Sequence, residues 1–328
     1  MGFIVDICCK RKKLSEEKFS YIFGFKNLGN TCFMNSSLQC LLNSKKFLEK
    51  LVKITKKNPE MRLTNEVLKI LESLEKGIVI LNPSKIKEIL SETEEKYKYN
   101  EQQDANEFIT IFLNQMLKEL LEIGDYKPNK LPNQEIEKNA YNKLEKRFFL
   151  PNKSFLLNLF YGRLKREYIC ECGCVCLVKF NNYNTLILPH PEKSNDVIEL
   201  LKLYQESKKI EDKILCNKCQ SEQKYSIKTS IYDIPEYFIL CLEKEMIYTS
   251  PGLNYPKILD TRDFTENIYA KYSLNSLIVY FGDRERGHYT AKCEKKDSWY
   301  HISDSNYKKI EQNEIIDKNA IILFYEKI

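Results

Sequence analysis

From residue 30 onward the apolar positions fall at helical spacing. Met34, Leu38, Leu41 and Leu42 share one face after an Asn30-Thr31 pair suited to N-capping, which predicts a helix with Cys32 in its first turn. Leu63, Val67, Leu68, Leu71 and Leu74 predict a second helix, stopped at Lys76-Gly77, and Pro83 opens a short third. A strong helix starts near Asp104, with Glu107 in capping-box register, and runs through Ile109, Phe112, Leu113, Met116, Leu117 and Leu120 to Gly124. Residues 125–147, rich in Lys, Asn, Glu and Pro, read as a linker or mobile loop. Beyond Phe160 the pattern shortens into β-branched and aromatic runs: Tyr183–Leu188, Tyr225–Ile231, Tyr237–Leu242, Tyr272–Phe281, His288–Cys293, Trp299–Ser303 and Ile321–Tyr325. Helices first and mostly antiparallel strands later make the class α+β.

Composition narrows the class. The chain has 328 residues, 43% hydrophobic and 30% charged, which excludes collagen-like, low-complexity and disordered proteins. A net charge of +6, spread along the chain without an ordered basic stripe, argues against a nucleic-acid binder. No apolar run is long enough for a transmembrane segment, and the N-terminus turns charged too soon for a signal peptide, so the expected location is cytoplasmic or nuclear. Gly2, the Cys8-Cys9 pair and the following basic run superficially suggest acylation and membrane attachment, but Asp6 stands where that pattern wants Ser or Thr and Phe3 is bulky. Residues 1–23 therefore read as an N-terminal extension.

Twelve cysteines in a long chain with no secretory signal point to metal binding or catalysis and away from disulfides. Cys170-Glu171-Cys172-Gly173-Cys174-Val175-Cys176 and Cys216-Asn217-Lys218-Cys219 form two turn-like clusters, the geometry of a structural zinc site with two thiolates from each. The second is a clean CxxC, giving Cys216 and Cys219. In the first the pair is open; Cys170 and Cys172 are favoured because Gly173 supplies the tight turn that follows a knuckle.

A cysteine at a helix N-terminus meets unpaired backbone N–H groups and the positive end of the helix dipole, which favour a thiolate and can stabilise an oxyanion. Cys32 is so placed. A nucleophilic thiol needs a base, and the chain has three histidines. His190, between two prolines, reads as a surface loop residue and His301 as an ordinary strand residue. His288, after Gly287 at the start of a strand, is the candidate base. A hairpin turn centred near Lys296 sets residue 288 opposite 304 and brings Asp304 to the imidazole; a one-residue slip presents Ser303 instead.

The motifs that carry these residues resemble a known family. Gly24-Phe25-Lys26-Asn27-Leu28-Gly29-Asn30-Thr31-Cys32-Phe33-Met34-Asn35-Ser36 is similar to the cysteine box of the ubiquitin-specific proteases, Gln102-Gln103-Asp104-Ala105-Asn106-Glu107-Phe108 to their QQDxxEF segment, and Gly287-His288-Tyr289-Thr290-Ala291 with Trp299 to their histidine box. The resemblance covers residues 24–328. It implies a papain-like cysteine protease with a helical thumb, an antiparallel β palm and zinc-ribbon-like fingers inserted at about residues 165–245. It implies too a thiol-dependent deubiquitinase, monomeric, acting on ubiquitin and ubiquitinated proteins after the C-terminal glycine of ubiquitin. Position by position, Cys32 matches the nucleophile, His288 the base, Asn27 the oxyanion donor, Asp104 the acidic contact to the ubiquitin tail, and Gly287 and Tyr289 the tail channel. Ser303 stands where the family commonly has Asn or Asp, followed by the Asp that aligns with Asp304, and the first cluster is CxCxCxC where the family has CxxC. The alternative is a catalytically weak or silent ubiquitin-binding scaffold with structural zinc.

Overall fold

The computed structural model describes residues 21–54, 58–121, 123–124, 126, 131–189, 194–216, 218–243, 252–265, 268–283 and 286–328. Residues 1–20, with Cys8 and Cys9, and His190 lie outside them. The expected extension stops short of residue 23: Phe23 is core, 2% exposed, packed edge-on against Phe25 with ring centroids 5.4 Å apart.

The N-terminal half is helical. Helix α1 (Cys32–Leu41) is buried along its whole length, and α2 (Lys45–Leu51) follows. Helix α3 (Arg62–Glu75) buries Leu63, Val67, Leu71 and Leu74 as one stripe, and α4 (Ser84–Ser91) begins after Pro83. Helix α5 (Ala105–Glu119) is capped by Asp104, whose Oδ1 accepts from Glu107 N at 2.9 Å. At its other end Glu119 accepts from the main-chain N–H groups of Leu63 and Thr64 at 2.9 and 2.8 Å. A carboxylate there satisfies orphan donors and faces the positive end of α3, so one side chain stitches two helices. Two short strands, β1 (Gly24–Phe25) and β2 (Ile80–Leu81), pair in parallel beside this bundle.

The segment expected to be a loop at 125–147 contains helix α6 (Glu135–Leu144), continued by a π-helical turn over Glu145–Phe149. Its few apolar anchors suffice because Tyr141, Leu144 and Phe149 are all buried. Helix α7 (Phe155–Phe160) leads into the sheets.

A four-stranded antiparallel sheet joins β3 (Gly162–Cys170), β4 (Val175–Tyr183), β6 (Lys208–Cys216) and β7 (Ser221–Asp233) in the order β4-β3-β7-β6. The run expected as one strand over Tyr183–Leu188 is split between sheets: Tyr183 ends β4, whereas β5 (Leu186–Leu188) pairs in parallel with β8 (Tyr237–Leu242) in the larger sheet. Helix α8 (Val197–Tyr204) packs on β5.

The larger sheet adds β9 (Ile258–Asp260), β10 (Lys271–Gly282), β11 (Gly287–Lys295), β12 (Ser298–Ser303), β13 (Asn306–Ile310) and β14 (Ala320–Lys327). Its order is β13-β12-β11-β10-β14-β8-β5, with β9 paired to β10. Both faces are covered. One packs against the helices and includes Ile278, Ala291, Ile322 and Phe324; the other holds Leu277, Val279, Leu323, Tyr325 and Leu200 of α8. A strand buried on both faces loses strict alternation, as Leu277-Ile278-Val279 shows. Among the described residues no helix is long and apolar enough to cross a membrane.

Candidate active site

Helix α1 packs against β11, so the start of one and the start of the other border the same place. Cys32 opens α1 and is 3% exposed. The expected capping by Asn30 or Thr31 is absent. Asn30 donates through Nδ2 to Asn100 O at 2.8 Å, while the Thr31 hydroxyl accepts from Leu28 N at 2.8 Å and turns back to Asn27 Oδ1 at 3.3 Å. No described side chain occupies the first N–H groups of α1, which leaves them directed at the space in front of Cys32.

Asn27 organises the loop that delivers the cysteine. Its Oδ1 accepts from Gly29 N at 3.0 Å and Thr31 N at 3.2 Å, and its Nδ2 donates to Asp304 Oδ2 at 2.9 Å. The other oxygen of Asp304 accepts from Asn35 Nδ2, on α1, at 2.7 Å. The main chain joins the same contact: Phe25 N donates to Asp304 O at 2.9 Å. Gly24 makes that approach possible, since a Cβ there would stand 2.6 Å from both Asp304 O and Ser305 Cα.

Asp304 therefore serves the cysteine loop and does not bond to His288, which corrects the expected hairpin register. β11 and β12 pair as Ala291↔Ile302, Lys292↔His301 and Lys295↔Ser298, around a two-residue turn, Lys296-Asp297, with φ of 49° and 59°. Continued along the strands, this register sets 288 opposite 305 and not 304. A shift of one residue exchanges the faces of a strand, so Ser303 shares the face of His288 and Asp304 takes the opposite one. The observed contact is His288 Nε2 to Ser303 Oγ at 2.9 Å. His301 bonds instead to Thr290 Oγ1 at 3.0 Å; burial, then the charges of Lys292 and Lys308, lower its pKa.

Gln102 is the residue that sequence reasoning missed. Its Nε2 donates to Gly287 O at 2.6 Å and lies 3.3 Å from Cys32 Sγ, so one amide touches both the thiol and the residue before the histidine. The signal was present, since Gln102 opens the segment that supplied Asp104. Asp104 itself is half-buried and holds the start of α5. Gly287 has no room for a side chain, because an added Cβ would lie 2.0 Å from Tyr280 OH. Tyr289, 5% exposed, packs on Tyr280 with ring centroids 4.7 Å apart.

At the far end of the four-stranded sheet the sulfur atoms of Cys170, Cys172, Cys216 and Cys219 lie within 4.8 Å of one another. Cys170 and Cys216 are buried, Cys172 and Cys219 exposed. Cys219 N donates to Cys216 Sγ at 3.5 Å; that N–H, with the N–H of Lys218, holds the Cys216 thiol down to about 6. Four convergent thiols from two turns, one already favouring its thiolate, form a donor set that fits a tetrahedral metal ion.

A family model described as ubiquitin carboxyl-terminal hydrolase matches residues 23–325, and the chain belongs to that family. Ubiquitin carboxyl-terminal hydrolase 2 of Homo sapiens is 27% identical over 350 residues, which cover 96% of this chain and 57% of that protein. Ubiquitin carboxyl-terminal hydrolase 4 of Vanderwaltozyma polyspora is 26% identical over 97% of this chain and 42% of its own length. The chain thus spans about half the length of the curated relatives it matches. Among solved structures, a chain of the SAGA Ubp8/Sgf11/Sus1/Sgf73 DUB module bound to ubiquitin aldehyde superposes with a TM-score of 0.71 at 20% identity, covering 98% of this chain and 72% of that one. A chain of the same module bound to monoubiquitin gives 0.76, again at 20% identity, over 98% and 73%. These likenesses establish the fold: a helical thumb, a β palm and a finger sheet tipped by the four cysteines.

Proposed function

We propose that the chain is a thiol-dependent deubiquitinase that hydrolyses the peptide or isopeptide bond after the C-terminal glycine of ubiquitin. The observation that carries this reading is the convergence of Cys32 and the His288 strand on the single amide of Gln102.

Cys32 Sγ attacks the carbonyl carbon of the terminal glycine. His288 bonds to Ser303 through Nε2, which leaves Nδ1 to take the thiol proton and then give it to the leaving amine. Ser303 is the group that orients the imidazole. The developing oxyanion is met by Asn27 Nδ2 and the uncapped N–H groups of α1, with Asp304 and Asn35 fixing where that amide points. Water then resolves the thioester with His288 as base. Asp104 at the mouth of α5 offers a carboxylate to the basic tail of ubiquitin, and Gly287 and Tyr289 narrow the channel in front of the thiol.

Zinc is the metal that suits the finger cysteines, with Cys170, Cys172, Cys216 and Cys219 as its ligands. Bound there it supplies a structural crosslink between two hairpin tips and takes no part in the chemistry.

A ubiquitin C-terminal fluorogenic substrate tests the proposal: the chain turns it over and Cys32→Ala does not. An electrophilic ubiquitin probe tests the silent-scaffold alternative, because a thiol nucleophile forms an adduct. Turnover that survives Cys32→Ala, or binding of the probe without an adduct, overturns the reading.

A further inference from the structure

The first cysteine cluster gives two of its four thiols to the converging group of sulfurs, and the two left over are not equivalent. Cys174 closes the turn over Gly173: its carbonyl accepts from Cys170 N at 2.9 Å, and its thiol donates to Val175 O at 3.9 Å. Cys176 lies where the pairing of β3 and β4 slips. Tyr168 faces Leu177 and Ile169 faces Val175, so Cys176 is an extra residue with no opposite number on β3. Such bulges re-aim a side chain. Here the half-buried Cys176 thiol donates to Cys174 O at 3.7 Å and lies beside that of Cys216. Cys172 borders the same atom, its Sγ 3.8 Å from Cys216 Sγ. Cys172, in the turn, and Cys176, on the strand that follows it, thus approach Cys216 from one hairpin; Cys172 is exposed and Cys176 half-buried.

We propose that Cys176 is a reserve ligand of the finger metal site, taking the coordination position of Cys172 when that exposed thiol is lost. The inference rests on the zinc reading above. The exchange is balanced: the bond from metal to Cys172 sulfur breaks, a bond from metal to Cys176 sulfur forms, and the Cys176 proton passes to solvent. Hydrogen peroxide is one agent that triggers it, since it converts the Cys172 thiolate to a sulfenic acid with release of hydroxide, and a sulfenic acid is a poor zinc ligand. Cys219 has no such substitute, because its own turn carries no further cysteine.

Zinc per chain, measured by atomic emission after gel filtration of the full-length protein, separates the outcomes. About one zinc is expected in the wild type, in Cys172→Ser, in Cys176→Ser and in Cys172→Ser/Cys174→Ser, and close to none in Cys172→Ser/Cys176→Ser. Loss of the metal from Cys172→Ser alone, its retention in the Cys172→Ser/Cys176→Ser variant, or its loss from Cys172→Ser/Cys174→Ser overturns the proposal. A wild-type chain with no zinc overturns the zinc reading itself. A second measurement needs no destabilised variant: after limited hydrogen peroxide, the cobalt-substituted wild type keeps its thiolate-to-cobalt charge-transfer band while cobalt-substituted Cys176→Ser loses it. Equal loss in both overturns the proposal.

Discussion

Asp304 accepts from Asn27 with one oxygen and from Asn35 with the other, and so ties the turn after β12 to both ends of the cysteine loop. If Asn27 is the oxyanion donor, Asn27→Ala lowers kcat by about 10²–10³ with little change in KM. Asp304→Ala acts through the same amide, so adding it to Asn27→Ala costs far less than it does alone; additive losses in steady-state kinetics would separate the two residues. Cys32, His288 and Asn27 were legible because each sits in a motif of narrow chemistry. The partner of His288 was not legible, since it hangs on the parity of a hairpin. Lys-Asp is not among the turn pairs that announce a two-residue loop with positive φ, and a centre misplaced by half a residue selects the wrong face.

At the scale of elements, α6 and its π turn are fastened to the finger sheet by two cations of β3, Lys165, paired with Glu137 at 3.0 Å, and the more deeply buried Arg163. Arg163 on β3 is 3% exposed, bonds to Glu145 at 2.6 Å and Asp233 at 2.5 Å, and lies over the Phe149 ring, 3.7 Å from its centroid. Arg163→Met removes the guanidinium shared by the buried Glu145 and the half-buried Asp233, and is expected to destabilise the protein by about 3–5 kcal/mol in chemical denaturation. Arg163→Lys should recover little, because an ammonium lacks the planar fork that serves both carboxylates and stacks on the ring. A denaturation midpoint unchanged in Arg163→Met would refute this account. The sequence hid α6 for the same reason: a surface helix held by a buried ion pair and a few aromatic anchors has too few apolar positions to show a period. Helices α3 and α5, with full apolar stripes and recognisable starts, were plain within a few residues at their ends.

For the whole molecule, the succession of helices and then strands gave the α+β class, but not the strand order, which depends on pairings between residues far apart in the chain. One global property follows from β12. His301 resists protonation when folded, because burial and the nearby Lys292 and Lys308 disfavour its charged form. The unfolded chain takes up that proton more readily, so this residue makes stability fall as pH drops below about 6.5, the ordinary histidine value. Melting temperatures measured from about pH 7.5 down to about pH 5.5 should decline more steeply for the wild type than for His301→Gln; parallel declines would contradict it. Strand β14 sits between β10 and β8 and, among the described residues, is the strand that joins the two parts of the large sheet. A ribosome that has displayed every residue up to Asn319 has already released both the cysteine and the histidine, yet the sheet that carries the histidine is still in two pieces. Completion of this sheet therefore waits for the emergence of Lys327, and a nascent chain stalled before that point carries two open β-edges for a chaperone to cover.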